Sequence, residues 1–428
     1  MFLGRRLDDV TDPTTQVRPS AFLSSRLGGT AGAASHASIR HSNLALVTSA
    51  LFQDGGGLSR ADIATETGLT KATVSRLARE LLEKNVVVEG VPGESSSAGR
   101  PGTPLFPAPG TMVGIGLEIN VDRICGAAVD LQGQQVDSFE ESCNLTNSDP
   151  EAAFRLLEPQ VSAMLDRLEG MGATVVGASL AIPGIVDQTS QIVIYAPNLG
   201  WRMVAPGEYL LDALGGIPLF VDNDANLQAL AVLSVRVPDQ EGLPSSFFYL
   251  TGDIGIGGAL IRDGEPVRGP QGRAGEIGHT TVHPDGPECH CGSRGCLERY
   301  AGKLAIAEEA AITFEDQLAP PPQVLVDALE EQNMDAIRAV DRAGWALGIA
   351  LANVTNLLDV DTVVLGTSLA PLLPWLAPSL EKELKRRMIG SDSRTVELVS
   401  APPVALPAAV GGAILALQSG LVDSLLEP

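Results

Sequence analysis

Residues 275–298 read GEIGHTTVHPDGPECHCGSRGCLE and contain a dense group of metal-binding side chains. His279, Cys289, Cys291 and Cys296 fall within a span of eighteen residues. Three thiolates and one imidazole favour tetrahedral zinc, with iron as the alternative metal. Because these four ligands leave no open coordination position, the predicted site is structural rather than hydrolytic. The other interpretation is that the cysteines are buried and bind no metal.

The length and composition indicate an α/β protein of two or three domains. The chain has 428 residues, and its 44% apolar but only 4% aromatic residues suit layers built from Val, Ile, Leu and Ala. Three of the five cysteines lie in one short segment, which is typical of metal ligands in a reducing cytoplasm rather than of disulfides. No apolar run approaches the ~20 residues of a membrane span, and no apolar segment follows Arg5 and Arg6. We therefore expect a cytoplasmic protein without membrane insertion.

Changes in composition and hydrophobic pattern divide the chain into three segments. Residues 1–35 are rich in small and polar side chains and predict a flexible tail, or alternatively a short arm packed on a neighbour. Residues 36–108 carry three helical patterns followed by a stretch dense in Gly, Ser and Pro, which is typical of a wing and linker. Residues 109–428 alternate short apolar runs with helical patterns and predict an α/β body, in which no internal repeat is visible.

The three helical patterns predict a helix-turn-helix. A first helix over 39–52 ends at a glycine run, Ser59 begins a second that stops at Gly68, and Thr70 caps a third over 71–84. The formal net charge is −23, but charge acts over about 8–10 Å. The third helix has four basic residues against two acidic ones, so it is locally basic. The alternative is a dimerisation or protein-docking module. Hydroxyl and guanidinium groups can reach base edges and phosphates, and the residues predicted to contact DNA are Thr70, Lys71, Thr73, Ser75, Arg76 and Arg79.

The segment after the third helix resembles the wing of bacterial winged helix-turn-helix repressors. Residues 97–101 read SAGRP and resemble the small glycine-arginine-proline element that follows the wing in one such family. The resemblance implies that Arg100 enters the minor groove, as arginine-bearing arms do. The alternative is a solvated linker arginine.

Several motifs of the body resemble those of the ROK family (repressors, open reading frames and sugar kinases). They are GEIGH at 275–279, CHCGSRGCLE at 289–298 and DNDAN at 222–226. The resemblance covers residue 112 to the C-terminus and, with the winged head, follows the domain order of the family's xylose, N-acetylglucosamine and glucose repressors. It implies a two-lobed, actin-like fold of the sugar-kinase and Hsp70 type, with the sugar between the lobes.

The same resemblance implies a set of sugar-binding residues. Carboxylates and amides bind the paired hydroxyls of sugars, and His279 would bind metal through one ring nitrogen and sugar through the other. Asp224 occupies the position of the general base of the family's kinases. Each acid taken alone is also consistent with a solvated or capping carboxylate. The implied sugar-binding residues are Asn223, Asp224, Glu276, His279 and Glu298.

Three loops that hold the nucleotide in the family's kinases are altered here. The first reads EINVD at 118–122 where the kinases resemble Asp-x-Gly-Gly-Thr, so both glycines that would let the backbone approach phosphate are lost. The second, residues 251–258, keeps its glycines but adds Asp253. The third, residues 363–368, has one glycine where the kinases tend to have two. Together these departures predict that ATP transfer is lost and that the protein is not an enzyme.

The sequence therefore favours a transcriptional repressor of carbohydrate-related genes that is controlled by a sugar or sugar phosphate. It would bind palindromic operator DNA as a homodimer or tetramer, with recognition helices ~34 Å apart. One alternative is an active ATP-dependent sugar kinase with a DNA-binding head. The other is a regulator that binds no sugar and responds to a protein partner, such as a component of a transport system.

Overall fold

The computed structural model describes residues 16–17, 36–52, 56–91, 102–236, 242–312 and 320–426. Its strands are β1 (Gln16–Val17), β2 (Leu58–Ser59), β3 (Val87–Glu89), β4 (Pro104–Pro107), β5 (Met112–Ile119), β6 (Arg123–Asp130), β7 (Gln135–Ser142), β8 (Thr174–Ile182), β9 (Ile185–Asp187), β10 (Ile192–Ala196), β11 (Trp201–Val204), β12 (Leu219–Asn223), β13 (Val235–Arg236), β14 (Phe247–Gly252), β15 (Ile256–Arg262), β16 (Glu265–Pro266), β17 (Thr362–Leu365) and β18 (Glu397–Ser400). Its α-helices are α1 (His36–Phe52), α2 (Arg60–Thr67), α3 (Lys71–Glu83), α4 (Pro150–Gly170), α5 (Pro206–Leu214), α6 (Asp224–Ser234), α7 (Glu298–Ala301), α8 (Lys303–Glu309), α9 (Pro322–Glu330), α10 (Met334–Leu358), α11 (Leu369–Arg387) and α12 (Pro407–Leu426).

The N-terminal head contains three helices, and local capping sets the ends of α2 and α3. Ser59 caps α2 through a capping box with Asp62, and α2 ends at Gly68, whose φ is 71°. Thr70 caps α3, because its hydroxyl oxygen accepts the N–H of Thr73 at 3.2 Å. The predicted helix-turn-helix is confirmed with these caps, while α1 begins at residue 36, before its predicted start.

A three-stranded sheet forms the wing beside these helices. β4 pairs in antiparallel register with both β2 and β3, and Leu105 of β4 is fully buried with Leu77 and Leu81 of α3. Residues 92–101, which include Arg100, lie outside the described residues. So does most of the predicted tail over 1–35, of which the structure describes β1, paired with β13.

The body contains two five-stranded sheets with the same strand arrangement. In the first, the order is β7-β6-β5-β8-β12; β5, β6 and β7 are antiparallel, and β5, β8 and β12 are parallel. In the second, the order is β16-β15-β14-β17-β18, with the same antiparallel and parallel halves. This is the two-lobed, actin-like fold that the motifs implied. The two sheets also reveal an internal repeat that the sequence pattern does not show.

Each lobe has its own apolar core. The first lobe packs α4 and α5 beside its sheet, where Phe154 stacks on Trp201 with ring centroids 5.6 Å apart. The second packs α10 against α11. α12 lies on β5, β6 and β8 and also packs against α6, the helix that begins at Asp224. No α-helix in the described part of the chain is long and apolar enough to cross a membrane.

The head is docked on the first lobe through the end of α12. Leu417, Leu421 and Leu425 are buried in the same apolar cluster as the inward face of α3. Nζ of Lys84, at the end of α3, donates to the carbonyl oxygen of Ser424 at 2.6 Å. The head and the first lobe therefore share one packed interface.

Candidate functional site

The four predicted metal ligands lie together. The ligand atoms of His279, Cys289, Cys291 and Cys296 are all within 4.8 Å of one another. The Sγ atoms of Cys291 and Cys296 are 3.7 Å apart, and Sγ of Cys289 is 3.8 Å from Nδ1 of His279. Two thiolates bound at ~2.3 Å to a tetrahedral ion lie ~3.8 Å apart, whereas a disulfide requires ~2.05 Å. The cluster therefore has the size and the donor atoms to hold a metal ion.

The backbone around this cluster is held closely against the second sheet. Gly275 has a φ of 95°, and a Cβ atom there would lie 2.2 Å from a carbonyl oxygen of β15, so glycine is required. The N–H of Leu297 donates to the carbonyl oxygen of Thr280 at 2.9 Å. This bond joins the segment that carries His279 to the segment that carries Glu298, so both side chains belong to one wall.

Asp224, one of the residues predicted to bind sugar, is buried near several other acids. It begins α6, and only 8% of the residue is exposed. Burial raises the pKa of the Asp224 carboxyl well above its ordinary value, and the neighbouring acids Glu118, Asp253 and Glu276 raise it further. The raised pKa favours the neutral carboxyl, which can donate a hydrogen bond as well as accept one.

Glu276, His279 and Glu298 form the adjoining part of this wall. Burial raises the pKa of Glu276, while His279 acts to lower that pKa and Glu298 to raise it. Oε1 of Glu298 lies 4.0 Å from Sγ of Cys289, so the metal-ligand cluster stands directly behind the wall. We call the set Asn223, Asp224, Glu276, His279 and Glu298 the sugar-side wall.

Asn223, the remaining member of the sugar-side wall, also holds the start of α6. Its Nδ2 donates to the carbonyl oxygen of Gly184 at 3.0 Å, and its Oδ1 accepts the N–H of Ala225 at 2.9 Å. A carboxamide has a second donor hydrogen and a second acceptor lone pair. Asn223 can therefore bind a ligand hydroxyl while it fixes the strand-to-helix turn.

A buried ion pair joins the two lobes beside this turn. Asp222, which ends one lobe's strand β12 next to Asn223, is 2% exposed and accepts from Arg268 through Nη2 at 2.6 Å and Nε at 2.7 Å. Asp222 also accepts from the side chain of Asn226 at 3.0 Å. Arg268 follows β16 of the second sheet. Both nitrogens of Arg268 contact Oδ2 of Asp222, and this ion pair connects the lobes next to Asp224.

A second ion pair occupies the first altered loop. Oε1 of the fully buried Glu118 accepts from Nη2 of Arg123 and from Nδ2 of Asn120, each at 2.9 Å. Arg123 also lies 3.4 Å from a carboxylate oxygen of Asp122 and 3.7 Å from one of Asp253. Glu118 is the main cause of the raised pKa of Arg123, which stays cationic. Since Asp253 belongs to the second lobe, Arg123 reaches across the cleft.

Two backbone N–H groups of the altered loops are bound by the protein's own side chains. The N–H of Val121 donates to Oδ1 of Asn120 at 2.7 Å, and that of Gly252 donates to Oγ1 of Thr367 at 2.8 Å. Thr367 also lies 3.0 Å from the hydroxyl of Thr251. Glycine-rich loops present such N–H groups to phosphates. We call residues 118–123, 251–255 and 367 the phosphate-side wall.

The predicted recognition helix α3 presents a basic surface beside the wing. Arg40 of α1 binds Glu80, so one of the two acids of α3 is already paired. Lys84, which was counted among the basic residues of this helix, binds Ser424 of the body instead of facing outward. The residues predicted to contact DNA are solvent-accessible: Thr70, Lys71, Arg76 and Arg79 are exposed, and Thr73 and Ser75 are partly exposed.

Arg123 and Arg268 were not identified from the sequence, because their partners lie far away or on another strand. One usable signal was present. Glu118 stands within a strand that is apolar on both sides in sequence, and a carboxylate buried there requires a cation or several donors. Arg123, five residues further on in the paired strand, was the nearest candidate.

Comparisons with known proteins agree with this architecture. The ROK family profile matches residues 114–419, and the profile of the IclR helix-turn-helix domain matches residues 49–89. The xylose repressor of Bacillus spizizenii is 27% identical over 86% of this chain and 92% of its own length. A glucokinase of Halalkalibacterium halodurans is 29% identical over 59% of this chain and 79% of its own length. Repressors and kinases are thus both among the relatives.

The overall arrangement also matches a solved structure. A crystal structure described as a ROK family transcriptional regulator homologous to the E. coli MLC protein superposes with a TM-score of 0.74. It is 24% identical and covers 91% of this chain and 98% of its own. The head and both lobes thus follow a known fold. Because the ROK profile spans most of the body, including the motifs at 222–226 and 275–298, this chain belongs to the ROK family.

Proposed function

We propose that this protein is a DNA-binding transcriptional repressor of carbohydrate-related genes, controlled by a sugar or sugar phosphate bound between the lobes. The proposal rests on a contrast between the two walls of one cleft. This cleft belongs to a body on which a helix-turn-helix head is docked. The sugar-side wall keeps its carboxylates, while on the phosphate-side wall two N–H groups are bound by protein side chains and Arg123 is held by acids. The names of the repressor relatives support the same function.

DNA recognition is assigned to α3 and to the wing. The exposed Lys71, Arg76 and Arg79 give this helix a basic face, and Thr70, Thr73 and Ser75 add hydroxyl groups at its N-terminal end. Such a helix enters the major groove with its N-terminal residues toward the base edges. Arg100 is assigned to the minor groove. Two heads on a palindromic operator require a homodimer or tetramer.

Coupling between cleft and head is assigned to the β5–β6 hairpin and to α12. At one end of the hairpin, Glu118 and Arg123 line the cleft. At the other end, Oδ2 of Asp130 accepts the N–H of Gly110 at 2.9 Å, and Nε2 of Gln132 donates to the carbonyl oxygen of Pro107 at 3.0 Å. A change in lobe closure would therefore move the head. A coupling of ~1–3 kcal/mol changes DNA affinity roughly 5- to 150-fold.

We also propose that ATP transfer is lost. The N–H groups of Val121 and Gly252 are already bound, and Arg123 is held by acids. A nucleotide phosphate would have to break these contacts and would meet the carboxylates of Asp122 and Asp253. Asp224, retained at the position of the kinase base, would then act as a hydrogen-bonding group for sugar rather than as a catalytic residue.

The Cys3His cluster is proposed to hold a structural zinc ion. Three thiolates and one imidazole match the softness and tetrahedral geometry that zinc prefers. Zinc would fix His279 and, through the adjoining segment, Glu298 in the sugar-side wall. Its role would therefore be to keep the cleft in shape.

The test is fluorescence anisotropy of the purified protein on DNA from the region upstream of its own gene. Salt is held constant, because DNA affinity depends steeply on it. Free and phosphorylated sugars are then titrated in. A change of DNA affinity caused by one sugar supports the proposal. Tight DNA binding that no sugar alters favours control by a protein partner such as a transport-system component. Absence of DNA binding together with ATP-dependent phosphorylation of a sugar favours a kinase.

A further inference from the structure

We infer that the cleft accepts an uncharged sugar and excludes the phosphorylated form of the same sugar. This inference rests on the proposed sensor function and narrows its ligand from two classes to one. It follows from the charges of the phosphate-side wall, which lies next to the residue that would bind the reactive hydroxyl in a kinase.

The first observation is that acids surround the cation of this wall. Nη2 of Arg123 lies 2.9 Å from Glu118 and 3.7 Å from Asp253, and its Nη1 lies 3.4 Å from Asp122. One guanidinium is thus shared among three carboxylates. A phosphate placed here would compete with them for Arg123 and would be repelled by those it displaced.

The second observation is that the same acids act on Asp224. Glu118 and Asp253 both raise the pKa of Asp224, which places their charges close to its carboxyl. A phosphate attached to the sugar hydroxyl that faces Asp224 would therefore project among these carboxylates.

The third observation is that another cation and two N–H groups beside this wall already have partners. Arg268 is bound to Asp222 at 2.6 Å, and the N–H groups of Val121 and Gly252 are bound by side chains. Lys303 follows the second loop, and its N–H donates to the carbonyl oxygen of Asp253 at 3.2 Å. If its ammonium is counted with Arg123, two cations stand against the three carboxylates of Glu118, Asp122 and Asp253, a formal excess of one negative charge even when Asp224 is protonated.

An uncharged sugar meets no such obstacle. Its hydroxyl groups donate to carboxylates and accept from the protonated form of Asp224, so the acids that repel phosphate serve as hydrogen-bond partners. Like-charge contacts cost several kcal/mol, so we expect a phosphorylated sugar to bind roughly a hundredfold more weakly than its neutral parent.

The experiment is isothermal titration calorimetry of the full-length protein with matched pairs of sugars. The pairs are glucose and glucose 6-phosphate, N-acetylglucosamine and its 6-phosphate, and mannose and mannose 6-phosphate, without added magnesium. We expect the neutral sugar of one pair to bind and its phosphorylated form to bind with far lower affinity. Equal or tighter binding of the phosphorylated member overturns the inference and leaves the sensor function intact. Absence of binding by every pair overturns the inference together with the sensor function.

Two variants test whether these carboxylates cause the preference for the neutral sugar over its phosphorylated form. The double variant Asp122→Asn with Asp253→Asn removes two charges without changing side-chain shape. It should reduce the ratio between the Kd of the phosphorylated sugar and the Kd of the neutral sugar at least tenfold. Asp263→Asn, at the opposite end of β15, is the matched control and should leave the difference unchanged. Unaltered discrimination in the double variant would overturn the assignment to these carboxylates.

Discussion

The sugar-side wall and the phosphate-side wall differ in how each places its charges. On the sugar-side wall acids stand beside acids: Asp224 lies near Glu276, which lies near Glu298, and the pKa values of the first two are raised. On the phosphate-side wall an acid stands beside a cation, because the buried Glu118 is bound by Arg123. The first arrangement leaves acceptors for an incoming ligand, whereas in the second the buried carboxylate of Glu118 is already bound by a cation.

This difference indicates which wall remains under functional demand. Clustered, buried acids oppose folding, so their retention requires a use that compensates for the cost. The Glu118–Arg123 pair requires no ligand, since the two side chains neutralise one another. The phosphate-side wall thus contains a contact between the lobes through Arg123, whereas the clustered acids of the sugar-side wall support the binding site proposed above.

The largest effect is expected at the metal-ligand cluster, which shares His279 with the sugar-side wall. Cys291→Ser should abolish metal binding and lower the free energy of unfolding by more than ~4 kcal/mol, because loss of a structural metal is among the most damaging changes. Metal content and chemical denaturation measure this. Cys143→Ser, at a free cysteine after β7, is the control and should retain both. A metal-free Cys291→Ser protein of normal stability would contradict a structural role.

The next largest effect tests whether the Glu118–Arg123 ion pair stabilises the phosphate-side wall. Arg123→Met leaves the buried Glu118 without its cation and should cost ~3–5 kcal/mol of stability, measured by urea denaturation. Adding Glu118→Gln removes the buried charge and should restore part of the loss. If the double variant is as unstable as the single one, the pair is not the reason for the cost.

Local chemistry explains how much of the head could be predicted from the sequence. The caps at Ser59 and Thr70 act within three residues of the chain, so their patterns survive in the sequence. The metal ligands were recognisable for the same reason, since they lie in one short segment. Arg100 and most of the tail lie beyond the described residues, so their roles stay predictions.

Contacts between distant segments could not be predicted in this way. Lys84 reads as one more basic residue of α3, but it binds Ser424, which is 340 residues away in the chain. Thr367 belongs to the loop that has one glycine where the kinases tend to have two, but its hydroxyl binds the N–H of Gly252, 115 residues away. Both outcomes depend on how the lobes and the head pack, and sequence spacing carries no information on that packing.

A smaller effect is expected for ligand binding on the sugar-side wall. Asp224→Asn should weaken binding of a neutral sugar by ~1.5–3 kcal/mol, because hydrogen bonds to a charged group are stronger than those to a neutral amide. Calorimetry with whichever neutral sugar binds in the titrations proposed above measures this. Asp122→Asn, on the phosphate-side wall, should change the affinity for the neutral sugar little. Equal losses in the two variants would remove the distinction between the walls.

The head provides a comparison outside the cleft. Arg76→Ala should weaken operator binding by ~1–3 kcal/mol, since the guanidinium contacts base or phosphate, while sugar binding stays unchanged. Fluorescence anisotropy at constant salt measures the DNA affinity. Arg155→Ala, an exposed arginine of α4, is the control and should have no effect. Unaltered operator affinity in Arg76→Ala would contradict the role assigned to α3.

The smallest effect concerns how far the clustered acids of the sugar-side wall lower the free energy of unfolding. Because burial and neighbouring acids raise the pKa of Asp224 above its ordinary value of 3.8, the folded protein holds this proton more tightly than the unfolded chain. The stability contributed by the protonated carboxyl is complete below pH 3.8 and is lost as pH rises through the raised pKa. Asn cannot ionise, so Asp224→Asn should be more stable than the wild type at neutral pH, by roughly 1 kcal/mol.

This gain has a distinctive dependence on pH, which separates it from a general improvement in packing. The difference in unfolding free energy between Asp224→Asn and wild type should grow from acidic to neutral pH and vanish near pH 3.8. Thermal melts at several pH values measure it, at roughly 2–4 °C in Tm for each kcal/mol. A gain that does not vary with pH would mean that ionisation of Asp224 is not its source. A loss of stability at neutral pH would mean that the sugar-side wall does not oppose folding, and that its acids are held as firmly as Glu118.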